Sequence, residues 1–297
     1  MDIIGWNGKV VPVDQAAVSV MDHGFLYGMT LFETMRTYGG RPFLLERHME
    51  RLTSACNILG IDYRMDTIQI EQVERHIREV MDANGLKEAY VRYTVSAGEN
   101  GFGLPIGEYV RPNVLVLVKP LPVFLDELYE QGKPLQLLHT RRNGPEADVR
   151  FKSGQYMNNI VAKRELVRLN SSAQGAEGLM LDQNGHISEG IVSNVFFVQD
   201  GRLYTPDLST GILPGITRQW VIELAGQANI DVEEGKYEWK RLWHADEVFL
   251  TTSVQELVPV TSLIDTEGQA KQLGGGQAGD CTRMLLSLYR ATTVRII

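Results

Sequence analysis

The chain has 297 residues, 43% of them hydrophobic and 22% charged, and a formal net charge of −8. That composition belongs to an ordinary globular protein, with two modest domains expected at this length, and it excludes disordered and fibrous classes. A negative balance without any Lys/Arg block offers phosphate backbones no cationic field, so nucleic acid is not expected as a partner.

The N-terminal run MDIIGWNGKVVPVDQ is broken by charge and glycine before an apolar signal region can form. No apolar run approaches the roughly 18 residues that would span a bilayer. The expectation is a cytoplasmic protein with no membrane partner. Cys56 and Cys281 lack CxxC spacing, and the six histidines show no HExxH pairing. Neither a disulfide framework nor a metal site is expected, and both cysteines read as buried small apolar residues.

In FLLERHMERLTSACNILG the residues Leu45, Met49, Leu52, Cys56 and Leu59 recur at helical spacing, and Gly60 is placed to stop the helix. EQVERHIREVMDANG repeats the pattern with Val73, Ile77, Val80 and Met81 and ends at Gly85. The runs AYVRYTVSA and NVLVLV read as strands. KPLPVFLDELYEQGKP then brings Pro120, Pro122 and Pro134 without long periodicity. An interdomain linker is expected at 121–133, between an N-terminal domain over 1–120 and a C-terminal domain over 134–297. The second half is richer in hairpins: LMLDQNGHIS carries an Asn184-Gly185 turn and NVFFVQDGRLYTP an Asp200-Gly201 turn. Helices are expected from near Gly215 in LPGITRQWVIELAG and through CTRMLLSLYR. No internal repeat and no low-complexity segment is visible.

FKSGQYMNN sets Lys152 between an aromatic residue and a run of amides, with no carboxylate among its sequence neighbours. Taken alone, a lysine reads as a solvated surface charge. GILPGITRQ opens a helix with Gly215, Ile216 and Thr217; unpaired N–H groups and a hydroxyl there suit a phosphate dianion, although capping alone accounts for the same residues. FLTTSVQELVPV ends a strand in Thr251, Thr252 and Ser253, which read either as further donors to that phosphate or as an exposed turn. HISEGIVSNVFFV places Glu189 just before an apolar strand, where its carboxylate could face a ring nitrogen or simply be solvated.

The segments RRNGPEADVRFKSGQYMNNIVAKRE, SEGIVSNVFF, TGILPGITR and TTSVQELVPV resemble, in order and spacing, the fold-type IV pyridoxal-phosphate enzymes. That family includes branched-chain aminotransferases, D-amino acid aminotransferases and aminodeoxychorismate lyases. MDHGFLYGMTLFETMRTYGGRPFLLERHMERL is similar to the family's opening motif, so the resemblance covers nearly the whole chain. It implies a mixed α/β (α+β) fold of two domains, a smaller N-terminal α/β domain and a larger C-terminal domain with a β-barrel-like sheet. It also implies pyridoxal 5'-phosphate in the cleft between them, and a homodimer.

Carried over residue by residue, the resemblance makes Lys152 the Schiff-base lysine and Glu189 the partner of the pyridine nitrogen. Arg51, in HMERL, binds the phosphate together with the Ile216 and Thr217 backbone and the Ser253 hydroxyl, where other members often carry Thr. Asn194, in SNVF, lies behind these groups. LGGGQAGDCTR also recurs in the family and reads as structural. A lysine that attacks a carbonyl must be neutral, so desolvating neighbours would serve Lys152.

Within the family, D-amino acid aminotransferases carry an Arg-x-His arrangement where this chain has GENGFGLP, which offers neither residue. Branched-chain enzymes carry a GTAAE-like turn where it has TTSVQE. The motifs DHGFLYG, GRPFLLERHMERL, RRNGPE and EGIVSNVF are most similar to aminodeoxychorismate lyases. The reaction implied is conversion of 4-amino-4-deoxychorismate to 4-aminobenzoate and pyruvate in folate biosynthesis. The alternative is a branched-chain or D-amino acid aminotransferase using 2-oxoglutarate. A substrate with two carboxylates calls for arginines; Arg36, Arg92 and Arg142 are the candidates, each equally readable as a surface ion-pair residue.

Overall fold

The computed structural model describes residues 2–294 and divides into two units, Met1–Pro122 with Phe151–Gln155 and Thr293–Ile297, and Val123–Arg150 with Tyr156–Thr292. In the first unit the strands are β1 (Ile3–Trp6), β2 (Lys9–Pro12), β3 (Thr30–Tyr38), β4 (Arg41–Pro42), β5 (Tyr90–Ser96) and β6 (Asn113–Lys119). They form one antiparallel sheet in the order β2-β1-β6-β5-β3-β4. Its helices are α1 (His23–Tyr27), α2 (Leu45–Ile58) and α3 (Thr67–Ala83).

Both long helices form where the apolar spacing places them. In α2 the residues Leu45, Met49, Leu52 and Cys56 are buried. Leu59 is not buried, because the helix ends at Ile58 and the chain turns at Gly60, whose φ is 68°. Helix α3 buries Val73, Ile77, Val80 and Met81, but it begins at Thr67, four residues ahead of the segment EQVERHIREVMDANG. The cause is a capping box: the Asp66 carboxylate accepts from the Gln69 N–H at 2.9 Å, and the Gln69 side chain accepts from the Asp66 N–H at 2.7 Å.

Strand β3 sets up the first half of the site. Side chains alternate across a strand, so Leu31, Glu33 and Met35 point one way and Phe32, Thr34 and Arg36 the other. The register with β5 extends both faces: Leu31 lies opposite Val95 and Met35 opposite Val91, while Phe32 lies opposite Thr94 and Thr34 opposite Arg92. The first face packs under α2, and Phe32 on the other face is buried as well. The tract that holds Lys152 pairs with β3: the Phe32 N–H donates to the Lys152 carbonyl at 2.9 Å, and the Gly154 N–H donates to the Thr30 carbonyl at 2.8 Å. Only glycine fits at 154, since a Cβ there would overlap the Thr30 hydroxyl.

In the second unit the elements are α4 (Asp126–Gln131), β7 (Lys133–Leu137), α5 (Met157–Arg168), β8 (Glu177–Leu181), β9 (Ile187–Gly190), β10 (Asn194–Gln199), β11 (Arg202–Pro206), α6 (Ile216–Gln227), β12 (Val232–Gly235), α7 (Trp239–Trp243), β13 (Glu247–Thr252), β14 (Glu256–Ile264), β15 (Ala270–Gln272) and α8 (Asp280–Val294). The strands make one mixed sheet in the order β12-β11-β10-β13-β14-β7-β8-β9, with β15 beside β14. The sheet curls until β9 lies against β10 and β11. Its interior is filled by Leu135, Leu179, Ile187, Val195, Phe197 and Leu250. This is the barrel-like sheet that the resemblance implies.

Within the tract 121–133 the residues Asp126–Gln131 fold as α4, with Asp126 and Glu127 at its positive end. Its last turn is tied down: the Ala278 N–H donates to the Glu130 carbonyl at 2.7 Å and the Thr261 hydroxyl to the Gln131 carbonyl at 2.5 Å. The two expected hairpin turns differ. Asp200 and Gly201 are both left-handed, with φ of 50° and 74°, as an Asp-Gly turn requires. At Asn184-Gly185 only Gly185 is left-handed, at 89°, because the Asp182 carboxylate accepts from the N–H groups of Asn184 and His186, both at 2.8 Å, and shapes a longer turn.

Cys56 is buried, whereas Cys281 is half-buried in the first turn of α8 and does not read as core. Among the described residues no helix is long and apolar enough to cross a membrane, and no group of three or more His, Cys, Asp or Glu side chains could hold a metal.

The α3 capping box yields a direct test. Asp66→Ala removes the acceptor and costs about 1 kcal/mol, while Asp66→Asn costs far less. Urea denaturation, read as a shift of midpoint at unchanged slope, checks both values.

Candidate active site

In the first unit the outward face of β3 gathers three cationic groups. Lys152 Nζ lies 4.8 Å from the centroid of the Phe32 ring, and the Arg92 guanidinium carbon lies 3.5 Å from the same ring. Arg36, further along the same face of β3, rests 4.5 Å from the Tyr38 ring. Lys152, Arg36 and Arg92 therefore share one face of the sheet.

The inward face carries a different cluster. Glu33, 1% exposed, sits between Leu31 and Met35 and meets two residues of α2 that lie one helical turn apart, His48 and Arg51. Arg51 donates to it twice, Nε to Oε1 at 2.8 Å and Nη2 to Oε2 at 2.5 Å. His48 Nδ1 lies 2.6 Å from Oε2. A carboxylate oxygen only accepts, so Nδ1 carries the proton. Burial alone would push the Glu33 carboxyl up; the Arg51 guanidinium and His48 outweigh it and hold Glu33 at about 2. Burial pushes His48 below its ordinary value, and Arg51 and Lys152 add to that against the pull of Glu33. His48 is therefore a neutral donor at neutral pH.

In the second unit the centre is Glu189, at the end of β9. Its Oε1 accepts from Arg142 Nε at 2.8 Å; its Oε2 accepts from the Leu213 N–H at 2.9 Å and from Asn194 Nδ2 at 3.3 Å. Arg142 is buried and engaged further, its Nη1 donating to Asn158 Oδ1 at 2.8 Å and to Asn143 Oδ1 at 3.1 Å. Arg150 stands behind, Nε donating to the Gly211 carbonyl at 2.6 Å and lying 3.9 Å from Glu189 Oε1. Burial, and then Arg142 beside it, push the Arg150 guanidinium below its ordinary range. Asn194 also donates to the Leu213 carbonyl at 3.0 Å, and a Cβ at Gly215 would overlap its Oδ1. Glycine at 215 thus lets the start of α6 close on Asn194.

The start of α6 is a donor cluster. Gly215 is its N-cap and supplies no side-chain cap. Thr217 Oγ1 lies 3.5 Å from Ser253 Oγ, and the buried Thr251 hydroxyl, opposite Asn194 in the register, makes no hydrogen bond among the described residues. Uncapped helical N–H groups with the Thr217 and Ser253 hydroxyls are the donor set that a phosphate dianion takes. These residues fit the phosphate end of pyridoxal phosphate, and the Glu189 carboxylate fits an N–H donor such as a protonated ring nitrogen.

The structure thus places Lys152 and Arg92 against one ring, with Arg36 further along the same face and Arg51 beside Glu33, in one unit; Glu189, Asn194, Ile216, Thr217 and Ser253 lie in the other. Arg142 is part of the Glu189 network. Sequence reasoning missed Glu33, His48 and Arg150. Glu33 had a signal, a lone carboxylate in phase with Leu31 and Met35, and so did the i, i+3 spacing of His48 and Arg51; Arg150 had none.

Residues 30–263 match the family described as Amino-transferase class IV, and the chain belongs to that family. It is 38% identical over 286 residues to the aminodeoxychorismate lyase of Bacillus subtilis (strain 168), spanning 96% of this chain and 92% of that one. It is 32% identical over 296 residues to the branched-chain-amino-acid aminotransferase of Escherichia coli (strain K12), spanning 97% and 92%. The crystal structure of the E. coli branched-chain enzyme matches with a TM-score of 0.83 at 32% identity, over 98% of this chain and 94% of that one. The T.th. branched-chain amino acid aminotransferase with pyridoxamine 5'-phosphate matches with 0.82 at 29% identity, over 98% and 93%. The mixed α/β fold is the fold of these enzymes. The chain is accordingly a pyridoxal 5'-phosphate-dependent enzyme, a lyase or an aminotransferase.

Glu33 and His48 both contribute to the acid behaviour. The folded Glu33 carboxyl, at about 2, lies below its unfolded value, so its contribution to stability is complete above that value and is lost as pH falls toward 2. The folded protein also resists protonating His48, so stability declines as pH drops below the unfolded histidine value of roughly 6.5. Melting temperature against pH is expected to fall in two stages on acidification, and His48→Gln to remove the upper one.

Proposed function

We propose that the chain uses its pyridoxal 5'-phosphate to convert 4-amino-4-deoxychorismate to 4-aminobenzoate and pyruvate, the step that supplies 4-aminobenzoate to folate biosynthesis. The observation that carries this reading is the sharing of one sheet face by Lys152, Arg36 and Arg92. An amine and two guanidinium groups on one sheet face suit a substrate with one amine and two carboxylates. The higher identity to a lyase, 38% against 32% for a branched-chain aminotransferase over similar lengths, supports the same choice.

Bound pyridoxal phosphate supplies a ring that takes up the electron pair of the bond that breaks. Lys152 would hold the cofactor at its aldehyde carbon, and its amine would be the base for the proton on the ring carbon that bears the substrate nitrogen. Glu189 would accept the pyridine N–H, and Arg142, Asn194 and the Leu213 N–H hold that carboxylate in place. Arg51, the Ile216 and Thr217 N–H groups and the Ser253 hydroxyl are the groups that would hold the phosphate. Arg36 and Arg92 receive the substrate carboxylates. Departure of the enolpyruvyl oxygen aromatises the ring, and the atoms of the substrate are all accounted for in the two products. No keto acid enters, which separates this reaction from transamination.

A homodimer is the proposed assembly; the exposed Met157, Ile160, Val161 and Val167 of α5 are apolar surface that a second copy would cover. The second reading, a branched-chain aminotransferase, is supported by the likeness to the E. coli structure, with its TM-score of 0.83.

One experiment separates the two readings. Purified protein and Lys152→Ala are incubated with aminodeoxychorismate, without a keto acid, while visible absorbance and release of both products are followed. The parent is expected to be yellow and to form 4-aminobenzoate and pyruvate in equal amounts, and the variant to lose at least about 10³-fold in rate. A yellow protein that stays inert until an amino acid and 2-oxoglutarate are added is an aminotransferase. Arg36→Gln and Arg92→Gln should each raise KM more than they lower kcat, as steady-state kinetics would show.

A further inference from the structure

We infer that Glu33 is a positioning residue for the phosphate end of the cofactor: its carboxylate fixes the plane of the Arg51 guanidinium, and His48 fixes the carboxylate. The inference rests on the reading above in which Arg51 meets the phosphate, and it assigns the reason that this arginine is held in place.

Three observations carry it. First, Glu33 lies on the buried face of β3, between Leu31 and Met35, where a carboxylate is costly to desolvate unless donors meet it. Second, two parallel N–H···O bonds, 2.8 Å from Nε and 2.5 Å from Nη2, join Arg51 to the two carboxylate oxygens. Such a bidentate pair defines the guanidinium plane, which one bond would leave free to turn. Third, His48 Nδ1 at 2.6 Å closes on Oε2 from the same helix that carries Arg51. Acceptor and both donors therefore stand on a strand interior and a helix rather than on loops.

The physical gain is preorganisation. An arginine side chain on a surface samples many rotamers, and ordering it when an anion arrives weakens binding. Glu33 imposes that order before the anion arrives. Its charge opposes the anion, so the benefit lies in orientation, and the effect is confined to the phosphate group.

The test compares pyridoxal 5'-phosphate with pyridoxal, which lacks the phosphate. Full-length protein freed of cofactor is titrated with each compound, following absorbance, and the ratio of the two dissociation constants is taken for the parent, Glu33→Gln, Glu33→Asp and Arg51→Lys. Glu33→Gln is expected to shrink the advantage of the phosphorylated compound about tenfold while leaving pyridoxal affinity unchanged, and Glu33→Asp to fall between. If Arg51→Lys shrinks the ratio and Glu33→Gln keeps the parent's, Arg51 binds phosphate but Glu33 does not position it. If Arg51→Lys keeps the ratio, the phosphate reading of Arg51 itself is wrong and the inference falls with it. A Glu33→Gln protein that is less stable but weakens both ligands equally shows a structural role only, and overturns the proposal. Should Glu33→Gln fail to fold, Glu33→Asp decides alone: an unchanged ratio refutes the inference.

Discussion

A carboxylate removed from water costs several kcal/mol unless charged or hydrogen-bonding donors replace the water it gave up. Two such groups, one in each unit, lie at the candidate site. Glu33 is met by Arg51 and His48, and Glu189 by Arg142, Asn194 and a backbone N–H. In both, an arginine supplies the charge and neutral donors complete the shell. Much of the surrounding sequence follows from those needs, including the absence of a side chain at Gly215, which lets α6 begin beside Asn194.

The alternation of a single strand divides the tasks of the first unit. One face of β3 buries Leu31 and Met35 under α2 and admits Glu33 only because its donors arrive from that helix. The other face presents Phe32 and Arg36, joined by Arg92 from β5 and by Lys152 from a tract that pairs with the strand. A shift of one residue in register would exchange these roles, placing the carboxylate beside the lysine and the phenyl ring under the helix. The β3–β5 pairing and the backbone bonds at Thr30 and Phe32 hold that register.

In the second unit the phosphate-type donors and the Glu189 carboxylate are coupled through few atoms. Asn194 touches Glu189 by one hydrogen and the Leu213 carbonyl by another, while its oxygen lies where a side chain at Gly215 would stand. Arg142 illustrates how an arginine that chemistry assigns to a substrate becomes engaged once the fold is formed. Its buried guanidinium reaches Glu189 and the amides of Asn143 and Asn158, so it holds that carboxylate in place.

The amphipathic spacing of α2 and α3, the strands β5 and β6, the Asp-Gly hairpin and the motif order from Lys152 to Ser253 were all legible from the chain alone. Periodicity, turn chemistry and motif order are local properties, each motif written within a few residues. The helix inside 121–133, the longer turn at Asp182, and the partners of the carboxylates were decided only by tertiary structure. Glu33 and Arg51 are 18 residues apart, and Arg142 and Glu189 are 47 apart. No local pattern records which distant guanidinium satisfies which buried acid; that choice is made by the packing of strand, helix and loop, because only there do desolvation and charge act on the same pair of atoms.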